Sequence, residues 1–461
     1  MRATVPRVLV AATGSGVGKT TITCGLLWAL KERGLRLQAC KCGPDYLDPM
    51  FHERVLNMPS RNLDLFLGGK TVVRELLAEG GRATDLTLIE GAMGYYDGIA
   101  RSDDASSYAL ADATDTPVVL VVDAHGKALS VAAEVSGFLR FRVPSHIAGV
   151  IVNRVTPSYY PFLKAMIEEE TGVPVLGFVP QLDDAVLAHR HLGLVSAGEI
   201  EDLRERIATV ARTLEQTVDL DALIEMARGA SDIACEQSVL PEPTAEHPVI
   251  AVAHDAAFNF VYHDTLSLFE RLGARIAYFS PLSDECLPNR ACGLYLCGGY
   301  PELHAAELSA NERLRELIRS AVEEGLPTIA ECGGFMYLQE TLEDGTGEVW
   351  PMAGALSGHA VRRDRLVRFG YATIKSRYDT LLTVEGDMLN VHEFHYWDSS
   401  NNGDAFLARK PQSSRAWDCI VATPNLHAGF PHLYLRGYPR AAKRFVDACV
   451  AYGRRTGVLA S

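Results

Sequence analysis

The chain has 461 residues and is 48% hydrophobic, too long for one ordinary core and too apolar for disorder, so two domains are expected. Its 58 Asp and Glu against 44 Lys and Arg give a net charge of −14, which argues against nucleic-acid binding and obliges an anionic substrate to find a local basic pocket. No stretch approaches the roughly 20 apolar residues of a membrane span, and no signal-peptide pattern precedes the first strand, so a cytoplasmic protein without membrane contact is expected.

In chain order, the first predicted element is the apolar strand VLVAA from Val8 to Ala12, followed by a glycine-rich turn and a helix reaching Lys31. This order suits nucleotide phosphates and predicts an ATP site. Gly14, Gly16 and Gly18 let backbone N–H groups crowd around phosphate oxygens, Lys19 reaches the outer phosphates, and Thr20, with Thr21 beside it, stands where Mg²⁺ is held at the helix start. Thr13 occupies the place where the strict pattern has glycine, so the loop is a variant; a plain glycine turn before a surface helix would leave GKTT unexplained.

The ten cysteines are scattered without paired CxxC spacing, which predicts buried, reduced thiols. Cys40 and Cys42, in CKC beside a strand end, lack the further ligands a metal would need and read as structural.

Short β-branched runs follow: LTLIE to Glu90, PVVLVVDA to Ala124, IAGVIVN to Asn153 and PVLGFVP to Pro180. They predict an α/β domain over residues 1–235, a doubly wound parallel sheet covered on both faces. A polar helical stretch around Asp219 to Arg228 precedes EQSVLPEPTAEHP, residues 236–248, whose prolines and acids predict a linker. A second α/β domain, residues 249–461, begins with VIAVAHD and continues through ARIAYFS, GLYLCGG and LPTIAECGGFMYL.

In TIAECGGFMYL a buried strand runs into Cys332, two glycines follow, and an apolar helix begins at once. This is the logic of a nucleophile elbow: Gly333 and Gly334 permit the cramped backbone, and the helix start is expected to lower the thiol pKa. A buried cysteine at a strand end is the structural alternative. The base is open among His359, His392, His395, His427 and His432. Gly298 and Gly299 follow another strand; Gly299 and Gly333 are the candidate oxyanion donors, although paired glycines also mark ordinary turns.

Taken together, the phosphate loop, KCGPDYLDPMFH, NLDLF, IEGAMGYYDG, HRHLGL, AHDAAFNF, CGGYPELH, AECGGFMYL and HEFHY resemble, in the same order, the cobyrinate a,c-diamide synthase family of glutamine-dependent amidotransferases. The resemblance spans nearly the whole chain. It implies a P-loop ATP domain of dethiobiotin-synthetase type followed by a class I glutaminase domain of cobyric acid synthase type. Near the C-terminus it aligns AGFPHLYL with the family's catalytic segment and so assigns the base to His432. Phe430, Pro431 and Tyr434 depart from that segment, and the usual acid after the histidine is missing, which implies a Cys332–His432 dyad. Cys297, where the family has glycine, reads as a packing variant.

On the ATP side the resemblance fits the residues. Glu90 ends an apolar strand, a place from which a carboxylate can reach Mg²⁺, and Asp45, Asp48 and Asp97 would help to position the metal and the substrate carboxylate. A solvated acidic turn is the alternative for each aspartate. Asn153 matches a purine-recognising asparagine, or is a routine turn residue. Lys41, Arg154, Arg190 and His191 are candidate cations for a polycarboxylate macrocycle.

The chemistry implied is transfer of phosphate from ATP to a substrate carboxylate, giving an acyl phosphate, while Cys332 and His432 release ammonia from glutamine. Ammonia displaces phosphate, with an internal route between the domains expected. The family likeness implies two successive amidations, at the c and a acetates of cobyrinic acid in cobalamin biosynthesis, each using one ATP and one glutamine; hydrogenobyrinic acid and nickel sirohydrochlorin are alternative substrates. A homodimer is compatible with it. Two rivals differ in class. A partition-type ATPase switch carries a second signature lysine where Gly14 stands and leaves the second domain unexplained, and a peptide-cleaving cysteine hydrolase needs no ATP loop.

Overall fold

The computed structural model describes residues 2–182, 197–236 and 238–459. The chain divides into two compact units, Met1–Ser238 and Val239–Ser461.

The first unit is built on a seven-stranded sheet among the described residues, ordered Ser60–Leu63, Leu37–Cys42, Leu86–Glu90, Arg7–Ala12, Val118–Asp123, Ile147–Asn153, Val175–Val179. Every pairing in it is parallel. The central strand Arg7–Ala12 is buried at every position, because helices cover both faces of such a sheet. Val8, Val10, Leu88, Val119, Val121 and Ile151 meet Ile22 and Leu26 of helix Lys19–Glu32 in its core. Strand order reverses around Arg7–Ala12; the carboxyl ends of the flanking strands carry Glu90 and Asp123, and those of the next strands out carry Lys41 and Asn153, the crevice where such sheets bind ligands. Cys40 and Cys42 are buried within their strand. Two features were not expected: the edge strand Ser60–Leu63, and an antiparallel ribbon pairing Arg2–Ala3 with Ile233–Ala234.

In the second unit a six-stranded sheet runs Arg275–Phe279, Val249–Ala253, Ala291–Leu296, Thr328–Glu331, Leu426–Gly429, Val421–Thr423. Its first five strands are parallel and the last is antiparallel. Against the expectation of simple α/β alternation, residues 341–419, with His432–Leu433, also form two sheets dominated by antiparallel pairs. The larger joins Ala416–Cys419, Phe406–Arg409, Arg368–Ser376, Met388–His395 and His432–Leu433. The segment HEFHY is thus mostly strand, with alternating burial along Met388–His395. Among the described residues no helix is long and apolar enough to cross a membrane.

Candidate active sites

The phosphate loop joins Ala12 to helix Lys19–Glu32. Gly18 caps the helix at φ 95°, and a Cβ there would lie 2.5 Å from Asn153 Nδ2, so the position requires glycine on both counts. Asn153 donates to the Val17 carbonyl at 2.7 Å. Arg154 spans from Asp123, at 2.6 Å, to the Gly16 carbonyl at 3.1 Å. Both side chains therefore brace the loop from the end of strand Ile147–Asn153. At Gly14 and Gly16 a Cβ would meet nothing within 4 Å, so no neighbouring atom crowds the loop at those positions.

Lys19 Nζ donates to the Met93 carbonyl at 2.7 Å. Burial, with Lys41 adding to it, lowers its pKa to about 8 against the pull of Glu90 and Asp48. Behind it lies a closed ionic cluster. The Thr20 hydroxyl donates to Glu90 Oε1 at 2.6 Å. Lys41 Nζ stands 2.5 Å from Asp48 Oδ2 and 3.1 Å from Glu90 Oε1, and it donates to the Gly91 carbonyl at 3.1 Å. His52 Nε2 faces Glu90 Oε2 at 3.4 Å, while its Nδ1 lies 3.0 Å from the Ser60 hydroxyl.

Burial alone would push the Glu90 carboxyl up, but the Lys41 ammonium and hydrogen bonds from His52 and Thr20 hold it well below the usual carboxylate range. Asp48 goes the other way, because burial and the Glu90 charge outweigh Lys41. Lys41 itself, although burial opposes its charge, is held well above its ordinary value by Glu90, Asp48 and Asp45.

The structure thus brings Thr20, Lys41, Asp48 and Glu90 together and adds His52, which sequence reasoning missed. Its signal was the i,i+4 spacing from Asp48, which puts both on one face of helix Leu47–Arg54. Asp45 accepts from the Leu47 N–H at 3.0 Å at the entrance of that helix, and Asn62 of NLDLF fixes its loop by donating to the Gly43 and Asp45 carbonyls at 2.9 and 2.7 Å. Asp97 accepts from the Gly94 N–H at 2.9 Å and closes the turn that carries Met93. Arg190 and His191, with the rest of HRHLGL, lie outside the described residues.

Among the described residues no cluster of three or more His, Cys, Asp or Glu side chains has metal-binding geometry. A phosphate-loop Mg²⁺ needs only a hydroxyl and a nearby carboxylate from the protein, its other ligands being phosphate oxygens and water. Thr20 beside Glu90, with open space over Gly14 and Gly16, fits that requirement.

In the second unit, Cys332 follows strand Thr328–Glu331 and donates its N–H to the Gly429 carbonyl at 2.8 Å. It sits at φ 46° and ψ −102°, a strained conformation for a side-chain-bearing residue, with helix Gly333–Leu338 starting at the next position. The backbone is cramped as an elbow requires: a Cβ on Gly334 would lie 2.1 Å from the Leu296 carbonyl oxygen. The expected lowering of the thiol pKa does not occur. Burial, reinforced by Glu302, pushes Cys332 well up, and the Gly333 N–H only partly offsets this. A helix of six residues supplies too small a field to reverse desolvation.

Parallel pairing sets Glu331 opposite Gly429, and three residues on the chain reaches His432, whose strand pairs with Met388–His395. His432 is buried, and burial together with His395 lowers its pKa to about 4 against the Glu393 charge. Gly298 gives it room, since a Cβ there would lie 2.5 Å from His432 Cε1. The other candidate histidines have their own partners. His427 is buried against Phe406, His359 is exposed beside Thr341, His392 meets the Tyr371 ring, and His395 stacks on Phe430 at 4.0 Å with Nδ1 2.6 Å from the Trp397 carbonyl. Tyr434 is buried, its ring edge-on to Tyr262 and its hydroxyl 3.4 Å from Asp264. Cys297 is buried, its sulfur 3.3 Å from the Ala253 carbonyl.

A Cβ on Gly333 would fall 3.1 Å from the Gly299 N atom, so the two candidate oxyanion residues face one another beside the elbow. Phe430 and Pro431 line a small surface depression together with Arg368, Glu393, His395 and Trp417.

Residues 8–193 match the family described as the CobQ/CobB/MinD/ParA nucleotide binding domain, and residues 249–438 match the CobB/CobQ-like glutamine amidotransferase domain. The two family matches define a nucleotide-binding glutamine amidotransferase. The chain is 42% identical to the cobyrinate a,c-diamide synthase of Salmonella typhimurium, covering 95% of this chain and 97% of that one. It is 37% identical to the enzyme of that name from Caldanaerobacter subterraneus subsp. tengcongensis, with 97% and 99% covered, and 36% identical to the one from Thermoplasma volcanium, with 98% and 99% covered. The chain belongs to the cobyrinate a,c-diamide synthase family, whose members are glutamine-dependent amidating ligases.

Proposed function

We propose that this chain amidates the a and c acetate carboxylates of cobyrinic acid, using ATP to activate each carboxylate and glutamine as the nitrogen source. The observation that carries the reading is the presence on one chain of both machines: a phosphate loop whose Thr20 meets Glu90, and a strained Cys332 with His432 close to the elbow.

A carboxylate is a poor electrophile and needs its oxygen made into a leaving group. The loop backbone and Lys19 hold the outer phosphates in line with the substrate carboxylate, whose oxygen attacks the γ-phosphorus to give an acyl phosphate and ADP. Mg²⁺, when held by Thr20 and the Glu90 side of the loop, neutralises charge on the phosphate oxygens. Lys41 and His52 keep Glu90 ionised and fixed for that task. Asp45 and Asp97 belong to loops and Asp48 to helix Leu47–Arg54; Asp45 is assigned to the metal, and Asp48 and Asp97 to placing the substrate.

In the second unit the Cys332 thiol gives its proton to His432 and attacks the glutamine amide, with the oxyanion facing Gly299 and Gly333. Ammonia leaves with that proton, and water releases glutamate from the thioester. The depression beside Phe430, with Arg368 and Glu393 supplying both signs of charge, suits the zwitterionic end of glutamine. Ammonia then displaces phosphate from the acyl phosphate.

Incubation with ATP, Mg²⁺, glutamine and cobyrinic acid, followed by product mass and glutamate release, tests this. Wild type is expected to add two amides, and Cys332→Ala to do so only with ammonium. Glutamine hydrolysis without change to the corrin would overturn the substrate and direct the assay to hydrogenobyrinic acid or nickel sirohydrochlorin.

A further inference from the structure

The acid that ordinarily follows the catalytic histidine of such a glutaminase is absent, since Leu433 and Tyr434 come next and Tyr434 is directed at Asp264. A different carboxylate stands beside the ring. Glu331 Oε2 lies 3.6 Å from His432 Nδ1, with 1% of Glu331 and 2% of His432 exposed. The chain has little freedom to avoid this contact: Glu331 is the last residue of the nucleophile strand, paired with Gly429, and its neighbour Cys332 is bonded to the same residue.

Tyr295 and the Leu433 N–H lie near the carboxyl and favour its charge, yet neither oxygen completes a hydrogen bond of good geometry. A carboxyl buried so incompletely satisfied is costly. On the reading of Cys332 and His432 as a glutaminase dyad, we propose that Glu331 is the positioning residue for His432, its carboxylate accepting from Nδ1–H so that Nε2 is left as the base for the thiol.

The distance of 3.6 Å is that of an ion pair, and closing it to a hydrogen bond takes a movement of about 0.6 Å. Catalytic contacts of this kind tighten when substrate is bound. As Cys332 gives up its proton, His432 becomes an imidazolium, and a carboxylate on its far side stabilises that charge. No atom is transferred to Glu331; it fixes the tautomer and the ring. The charged or titratable groups facing the pair are Tyr295, Cys297 and Cys332 around Glu331, and Glu393 and His395 around His432. Burial pushes Glu331 up to about 8, so the ionised form that can accept from Nδ1 is gained as pH rises through that region.

The test uses Glu331→Gln and Glu331→Asp in the full chain. Glu331→Gln presents an amide N–H to Nδ1 and favours the wrong tautomer. It is expected to lower kcat with glutamine by about 10²-fold or more, to leave KM for glutamine within about twofold, and to leave ammonium-driven amidation intact. Glu331→Asp recovers part of the rate.

Alkylation of Cys332 by iodoacetamide supplies a readout that a merely neighbouring charge would move in the opposite direction. Above pH 8, where the carboxyl is ionised, Glu331 raises the thiol pKa through its own charge, so a spectator role predicts faster alkylation in Glu331→Gln, whereas loss of imidazolium support predicts slower alkylation. Unchanged or faster alkylation with wild-type kcat overturns the proposal. Retention of glutamine-driven activity by Cys332→Ala would instead overturn the underlying glutaminase reading, so the two failures are distinct.

Discussion

Lys19 illustrates how a single residue can carry a measurable consequence of burial. An unfolded lysine titrates near 10.4, whereas in this loop the value is lowered to about 8. Between those values the unfolded chain binds a proton that the native chain does not, so this residue makes stability rise with pH across the window, and the free loop loses its cation as pH passes 8. Triphosphate arriving beside Nζ favours the charged form and restores the proton. MgATP binding is therefore expected to take up a fraction of a proton at pH 8.5 and almost none at pH 6.5, as read by calorimetry in buffers of differing ionisation enthalpy. A binding enthalpy independent of buffer at pH 8.5 would count against a neutral Lys19 in the free loop. At this scale the sequence was most legible where spacing encodes chemistry: GKTT and ECGG announced Lys19, Thr20 and Cys332. It was least legible where a role depends on a tertiary neighbour. The spacing of His52 from Asp48 marks a shared helix face but not the Glu90 it meets, Glu331 carries no local signal of His432, and the high thiol pKa of Cys332 depends on the surroundings that bury it.

Among elements, the parallel strands of the first unit were readable because a strand buried on both faces is a continuous apolar run, as VLVAA and VVLVV are. Ser60–Leu63 was hidden because an edge strand with the sequence SRNL has no such run. The antiparallel strands within residues 341–419 were hidden for another reason. Residues 372–376 and the strand Met388–His395 alternate buried with less buried positions, and that weak period was overshadowed by the histidines of HEFHY. The turn between strand and helix is where an element meets its function. Gly18→Ala combines a left-handed backbone penalty of about 1–2 kcal/mol with a Cβ driven against Asn153, which must release the Val17 carbonyl. MgATP affinity is expected to fall tenfold or more, since about 1.4 kcal/mol is a factor of ten. The alkylation rate of Cys332 serves as the control and should be unchanged. Wild-type affinity in this variant would show that the loop reshapes freely and that Asn153 does not brace it.

At the scale of the whole molecule, two units of different construction carry the nucleotide-binding and the glutamine amidotransferase domains, and composition alone indicated two domains without indicating what they share. What the net charge adds is a constraint on the proposed substrate. A polycarboxylate approaching a chain of net charge −14 is repelled at long range, while contacts with individual cations act only at a few ångströms. Salt separates these effects, because the Debye length falls from about 30 Å at 0.01 M to about 10 Å at 0.1 M, which screens distant repulsion before it weakens close ion pairs. Raising ionic strength over that range with a monovalent salt, at fixed Mg²⁺ and saturating MgATP and glutamine, is therefore expected to increase kcat/KM for cobyrinic acid. The same change should leave kcat/KM for zwitterionic glutamine nearly constant. A marked fall for the corrin would mean that clustered cations at its site outweigh the field of the whole protein. The candidates for such a cluster are then Arg190 and His191 of HRHLGL, whose removal should flatten the salt dependence.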